Sequence, residues 1–156
     1  MSGSVVADAS VLVKWFVPED FYEQAWALRD DHLFGRVRVV APCTAPVEVA
    51  SALRKYVARG FLDAGRALRA LELLWRTEVG LVGVDEGLLR AALEFSLARG
   101  VSVYDALYVA LARSLGTVVY TADERLLRSL GGEEPVRHIR DYNGSSSAPG
   151  SERQAR

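Results

Sequence analysis

The stretch VSVYDALYVALARSLGTVVYTAD, from Val101 to Asp123, decides the fold. Between Val103 and Ala112 it is apolar or small on every face except at Asp105, so a helix here has no polar side on which to place that carboxylate. Thr117 to Thr121 (TVVYT) then has the β-branched and aromatic make-up of a central parallel strand. Asp123 follows just past its carboxyl end, and in an open α/β sheet that edge is where ligands bind.

Working outward, Ser4 to Ala7 (SVVA) reads as a first buried strand ending at Asp8, followed by a helical turn or two before Pro18. A helix is expected over 20–31 with Phe21, Ala25, Trp26 and Leu28 on one side, then a strand over 36–41. After the break between Pro42 and Pro46, a helix over 47–59 carries Val47, Ala50, Leu53 and Val57 as its buried face and ends at Gly60. Asp63 caps a helix reaching Thr77, Val79 to Val84 is a weaker strand, and Asp85 caps a helix that stops at Gly100. Beyond the central helix and strand come a short helix over 124–130, a Gly131-Gly132 turn and a last strand over 136–139. This alternation predicts an α/β fold with a parallel sheet of at least four strands, covered by helices on both faces.

The 156 residues, half of them hydrophobic, suffice for one domain with a sizeable core. That domain is expected over 1–142, with 143–156 (NGSSSAPGSERQAR) as a disordered polar tail. The single cysteine, Cys43, excludes an internal disulfide and suits a reducing compartment. Neither a signal peptide nor a run long enough to cross a bilayer is present, so a soluble cytoplasmic protein without membrane partners is expected. A net charge of −1 gives no global basic field, although the basic residues are arginines except for Lys14 and Lys55. Of the tryptophans, Trp15, Trp26 and Trp75 are either core or interface, and the sequence does not sort them.

Parallel strands deliver their following loops to one edge, which brings Asp8 and Asp123 together. Glu48 and Asp105, each in the first turn of a helix, point toward the same edge if those helices start there. Each acid also has an ordinary structural role. Asp8 or Ser10 suits the N-cap of the helix after the first strand, and Glu48 sits where a helix dipole favours negative charge. Asp105 lies at capping-box spacing from Ser102. Asp123 is the exception, because Thr121 and Glu124 form a T-x-x-E capping pair for the same turn. Four unpaired carboxylates on one edge repel one another unless a cation sits among them. With only oxygen ligands, that cation is expected to be Mg²⁺ or Mn²⁺ rather than zinc. His32 and His138 are expected to be neither ligands nor catalysts, and Cys43 to be packing.

These residues carry a family resemblance. VVADAS, APVEVASAL, YDALYVALA and VYTADERLL, in this order, resemble the PIN-domain ribonucleases, especially the VapC toxins of toxin-antitoxin pairs, over about 4–142. The resemblance implies a three-layer α/β/α sandwich and a metal-dependent endoribonuclease with Asp8, Glu48, Asp105 and Asp123 as its acidic site. It implies Ser10 and Thr121 as supporting polar groups, an RNA substrate, a homodimer and a cognate antitoxin that occludes the site. In the mechanism expected, Asp8 and Asp105, with Asp123 directly or through water, hold Mg²⁺ (Mn²⁺ as the alternative), and Glu48 orients the attacking water or takes its proton. Arg54, Lys55 and Arg59 are weaker candidates for phosphate contacts, read more readily as solvated charges. Rival readings are a housekeeping RNA-processing nuclease of the same family, a non-catalytic metal-stabilised interaction domain, and a phosphoaspartyl enzyme. Ser10 stands against the last, since a dehalogenase-type phosphatase needs an aspartate two residues after the first.

Overall fold

The structure is a computed structural model that describes residues 3–130, 132 and 134–144. Most of the expected tail and Gly131 of the expected turn lie outside the described residues. Five strands form one sheet in the order β3-β2-β1-β4-β5, namely β1 (Ser4–Ala7), β2 (Arg38–Pro42), β3 (Gly80–Val82), β4 (Val119–Thr121) and β5 (Val136–His138). All four pairings are parallel, with Val6 opposite both Val40 of β2 and Val119 of β4.

Successive side chains of a strand point to opposite faces, so burial along a strand reports how many faces are covered. Val6 and Ala7 of β1 are wholly buried, as are Val39 and Ala41 of β2 and Val119 and Thr121 of β4, with Val40 and Tyr120 buried between them. Both faces of the three central strands are therefore covered by helices, in the α/β/α arrangement. The helices are α1 (Ala9–Leu12), α2 (Tyr22–Leu33), α3 (Ala45–Ala58), α4 (Ala64–Arg76), α5 (Glu86–Arg99), α6 (Val103–Leu115) and α7 (Glu124–Leu130). Short 3-10 turns follow α1 and β5.

Helix α6 is the hydrophobic pivot. Every residue from Ala106 to Ala112 is buried, joining a core under β1 and β2 to a second cluster shared with α5 and α7. Ser102 caps its start by accepting the Asp105 amide at 3.1 Å, and Gly116, at φ 63°, ends it in the left-handed conformation that glycine adopts without cost. The chain thus turns sharply into β4, which sets Asp105 and Asp123 at the same edge. Asp63 and Asp85 cap α4 and α5 as the sequence predicts, accepting the Arg66 and Leu88 amides at 2.8 Å.

Three side chains depart from expectation. Val47 is 71% exposed rather than buried, because α3 begins at Ala45 and turns an Ala45, Val49, Leu53 stripe inward, which rotates Val47 outward. Phe21 is not on the inner side of α2 but precedes it, at φ 63°. Cys43 is exposed at the end of β2 instead of packed. Trp15 is buried whereas Trp75 is exposed. Among the described residues, no helix is long and apolar enough to cross a membrane.

Candidate acidic active site

Asp8 follows β1 in extended conformation and caps α1, its Oδ1 accepting the amides of Ser10 at 3.0 Å and Val11 at 3.3 Å. The Ser10 hydroxyl donates to the same oxygen and accepts the Ala122 amide at 2.9 Å, while lying 3.4 Å from Thr121 Oγ1. The Asp8 amide in turn donates to the Tyr120 carbonyl at 3.1 Å. One serine therefore stitches the loop after β1 to the loop after β4, a direct consequence of pairing these strands in parallel.

Thr121, wholly buried at the end of β4, accepts the Asp123 amide on its hydroxyl at 3.0 Å. It does not form the expected capping pair with Glu124. Its side chain is turned inward to Ser10 and Asp8, and Glu124 is drawn to Arg140 at 2.9 Å. Asp123 caps α7 instead, its Oδ1 accepting the amides of Arg125 at 3.0 Å and Leu126 at 3.2 Å. Both Asp8 and Asp123 thus meet these backbone amides through one carboxylate oxygen only.

Glu48, in the first turn of α3, accepts a 2.6 Å hydrogen bond from the Tyr108 hydroxyl. Tyr108 lies three residues beyond Asp105 on α6, so both side chains stand on the same face of that helix. The sequence reading passed over this tyrosine because, inside an apolar helix, it looks like core. Its helical spacing from Asp105 was the available signal.

The electrostatics show that the acids share one neighbourhood. Burial pushes Asp8 up to about 6, against the pull of bonds from Ser10, Thr121 and Val11, and the charge of Asp105 pushes the same way. Burial also raises Glu48, opposed by Tyr108 and reinforced by Asp105. Asp105 is raised by its own burial and by Asp123, with Ser102 and Arg125 opposing. Asp105 is thus the member that feels or perturbs each of the other three. The Tyr108 hydroxyl is pushed far up, so it stays protonated as a donor.

Among the described residues, no ion pair takes in Asp8, Glu48, Asp105 or Asp123. Oxygen-only donors that repel one another, with Asp8, Glu48 and Asp105 raised in proton affinity, fit a hard divalent cation. No three His, Cys, Asp or Glu side chains among the described residues are grouped closely enough to hold an ion by themselves.

The two histidines make structural hydrogen bonds. His32 accepts the Val39 amide on Nδ1 at 3.0 Å and meets the Thr77 carbonyl at 2.7 Å, bracing β2 against the end of α4. Arg54, Lys55 and Arg59 are exposed on or just past α3. His138 is buried on β5, with its Nδ1 accepting the Arg140 amide at 3.0 Å.

Comparison with known proteins agrees with this architecture. A ribonuclease of Pyrobaculum aerophilum, Ribonuclease VapC3, is 36% identical over 124 residues, covering 78% of this chain and 91% of that relative. The crystal structure of PAE2754 from the same organism superposes with a TM-score of 0.61 at 25% identity, over 81% of this chain and 78% of that one. A chain of a toxin-antitoxin complex from Klebsiella pneumoniae shares the fold, with a TM-score of 0.62 at 15% identity, over 86% of this chain and 97% of that one. Residues 5–131 match the PIN domain model, which takes in all four acids, and the chain belongs to the PIN-domain family.

Proposed function

We propose that this chain is a metal-dependent endoribonuclease that hydrolyses RNA phosphodiester bonds as the toxin of a toxin-antitoxin pair. The observation that carries the reading is the meeting, at the carboxyl edge of the sheet, of the loops after β1 and β4 that bear Asp8 and Asp123, with Tyr108 of the Asp105 helix bonded to Glu48. The 36% identity to a ribonuclease over nine-tenths of its length supports it.

In this reading Asp8 and Asp105, with Asp123 directly or through water, would hold Mg²⁺ or Mn²⁺. The bound ion supplies positive charge for the phosphate and lowers the pKa of the attacking water. Glu48 takes the proton of that water, a task that a raised carboxylate pKa favours. Tyr108 holds Glu48 in place, and Ser10 and Thr121 hold Asp8. Attack on phosphorus breaks one P–O bond of the RNA backbone. A homodimer and a cognate antitoxin complete the proposal.

The test is incubation of the purified protein with single-stranded RNA, structured RNA and DNA of matched sequence in Mg²⁺. Cleavage within the RNA strands is expected, and protein that leaves all RNA intact would refute the reading. Light scattering of the protein alone and co-expressed with a neighbouring small reading frame checks the dimer and the antitoxin.

A further inference from the structure

At the loop after β4 lies a cavity of about 540 Å³, bordered by Lys14, Glu19, Phe21, Ala122, Glu124 and His138. Ala122 of its wall stands between Thr121 and Asp123 and donates its amide to Ser10 at 2.9 Å, so one wall is formed by the loop that carries Asp123. Its walls carry more than packing requires. Lys14 is 5% exposed, yet among the described residues its ammonium has one hydrogen bond, a long one of 3.4 Å to Glu19 Oε2. An ammonium has three donors, so two remain available. Glu19 Oε2, the acceptor of that bond, belongs to a side chain about one-third exposed and has lone pairs for further donors. Spare donors on a lysine buried to this degree cost free energy unless a ligand engages them.

Phe21 strengthens the case. It stands at φ 63° and ψ 21°, a left-handed conformation that is uncommon for a bulky residue and costs about 1 kcal/mol. Its ring meets the His138 ring edge-on at 5.1 Å, with the Arg140 guanidinium 5.4 Å from its centroid. Strain held beside a catalytic edge, on an aromatic braced from two sides, is the kind of feature that serves a ligand. The charges argue for a neutral ring rather than a second phosphate. Glu19, Asp20 and Glu124 outnumber Lys14 at the wall, and His138 is held neutral by burial and by Arg140.

We infer that this cavity is a nucleobase pocket adjoining the scissile phosphate, with Phe21 as its stacking surface and Lys14 and Glu19 selecting guanine. Single-stranded RNA bases are read by aromatic stacking and by hydrogen bonds along the Watson–Crick edge. Guanine presents O6 beside N1–H and the N2 amino group, an acceptor followed by two donors. That order complements an ammonium followed by a carboxylate. Adenine lacks the carbonyl, cytosine presents only one amino donor, and uracil only one imide donor. The inference rests on the ribonuclease reading for its substrate class, and it assigns Lys14, Glu19 and Phe21 to binding and not to the chemical step.

The test is titration of the protein in Mg²⁺ with 5′-GMP, AMP, CMP and UMP, followed by amide NMR shifts. None of these nucleotides has an internucleotide bond to cut, so binding is read apart from cleavage. Saturable shifts at Phe21 and Ala122 are expected with GMP, with affinity about tenfold or more above the other three. Glu19→Gln should reduce that preference to about threefold or less while shifts at Phe21 persist, and Phe21→Leu should weaken all four nucleotides by about fivefold or more. Equal affinity for the four, no shift at these residues, or an unchanged preference in Glu19→Gln would overturn the inference. RNA cleavage without GMP binding leaves the nuclease and removes the pocket, whereas GMP binding without cleavage does the reverse.

Discussion

Tyr108 on α6 donates a 2.6 Å hydrogen bond to Glu48 on α3, linking the helix that carries Asp105 to the acid best placed to accept a proton. This bond favours the charged form of Glu48 against burial and against Asp105. Tyr108→Phe should therefore raise the Glu48 pKa further and move the acidic limb of the pH–rate profile to higher pH. Loss of a bond to a charged group should also cost about 1 to 2 kcal/mol of stability in urea unfolding. An unmoved profile would make the tyrosine a packing residue only.

Asp8 gives the metal-free protein a pH dependence of definite sign. Its carboxyl titrates near 3.8 unfolded and at about 6 folded, so the native state holds the proton more tightly. The resulting stability is complete below the unfolded value and is lost as pH rises from about 4 to about 6, on the order of 3 kcal/mol in all. Thermal unfolding in EDTA should show the midpoint falling over that window. Asp8→Asn keeps an oxygen to accept the Ser10 and Val11 amides and should flatten most of the slope.

Asp105 perturbs or is perturbed by every other acid of the site, so neutralising it should relieve repulsion. Asp105→Asn is expected to melt higher than the parent protein in EDTA, by the equivalent of about 1 kcal/mol. The added stability that Mg²⁺ gives the parent should be much smaller in the variant. Calorimetry of both proteins with and without Mg²⁺ checks the two signs together.

Leu111, 2% exposed on the inner face of α6, tests the fold itself. Leu111→Ala should cost about 3 kcal/mol through the cavity it leaves, whereas Leu97→Ala, at a position 78% exposed on α5, should stay within about 0.5 kcal/mol. Similar costs for both would place α6 wrongly in the core.

Helix α6 and strand β4 were legible because an apolar run interrupted by one aspartate, followed by a β-branched segment, admits few arrangements. Burial of α6 from Ala106 to Ala112 and the parallel pairing of β4 with β1 follow that reading. That the loops after β1 and β4 lie side by side was legible from topology alone, since parallel strands share an edge. Local rotations were not. The apolar pattern of α3 fits two registers, and the start at Ala45 that buries Ala45 and exposes Val47 depends on the break before Pro46. The T-x-x-E spacing at Thr121 was present, but the inward turn of a residue ending a buried strand outweighed it. Nothing in a phenylalanine announces a left-handed backbone, so Phe21 and the cavity it borders emerged only in three dimensions.

The central claim, that Asp8, Glu48, Asp105 and Asp123 form one metal-dependent hydrolytic site, meets its most direct test in single-turnover RNA cleavage across a Mg²⁺ titration. The expected result is a rate that saturates with Mg²⁺, vanishes in EDTA, and falls by about a hundredfold or more in Asp105→Asn at every Mg²⁺ concentration. Undiminished cleavage in EDTA, or in Asp105→Asn, would contradict it.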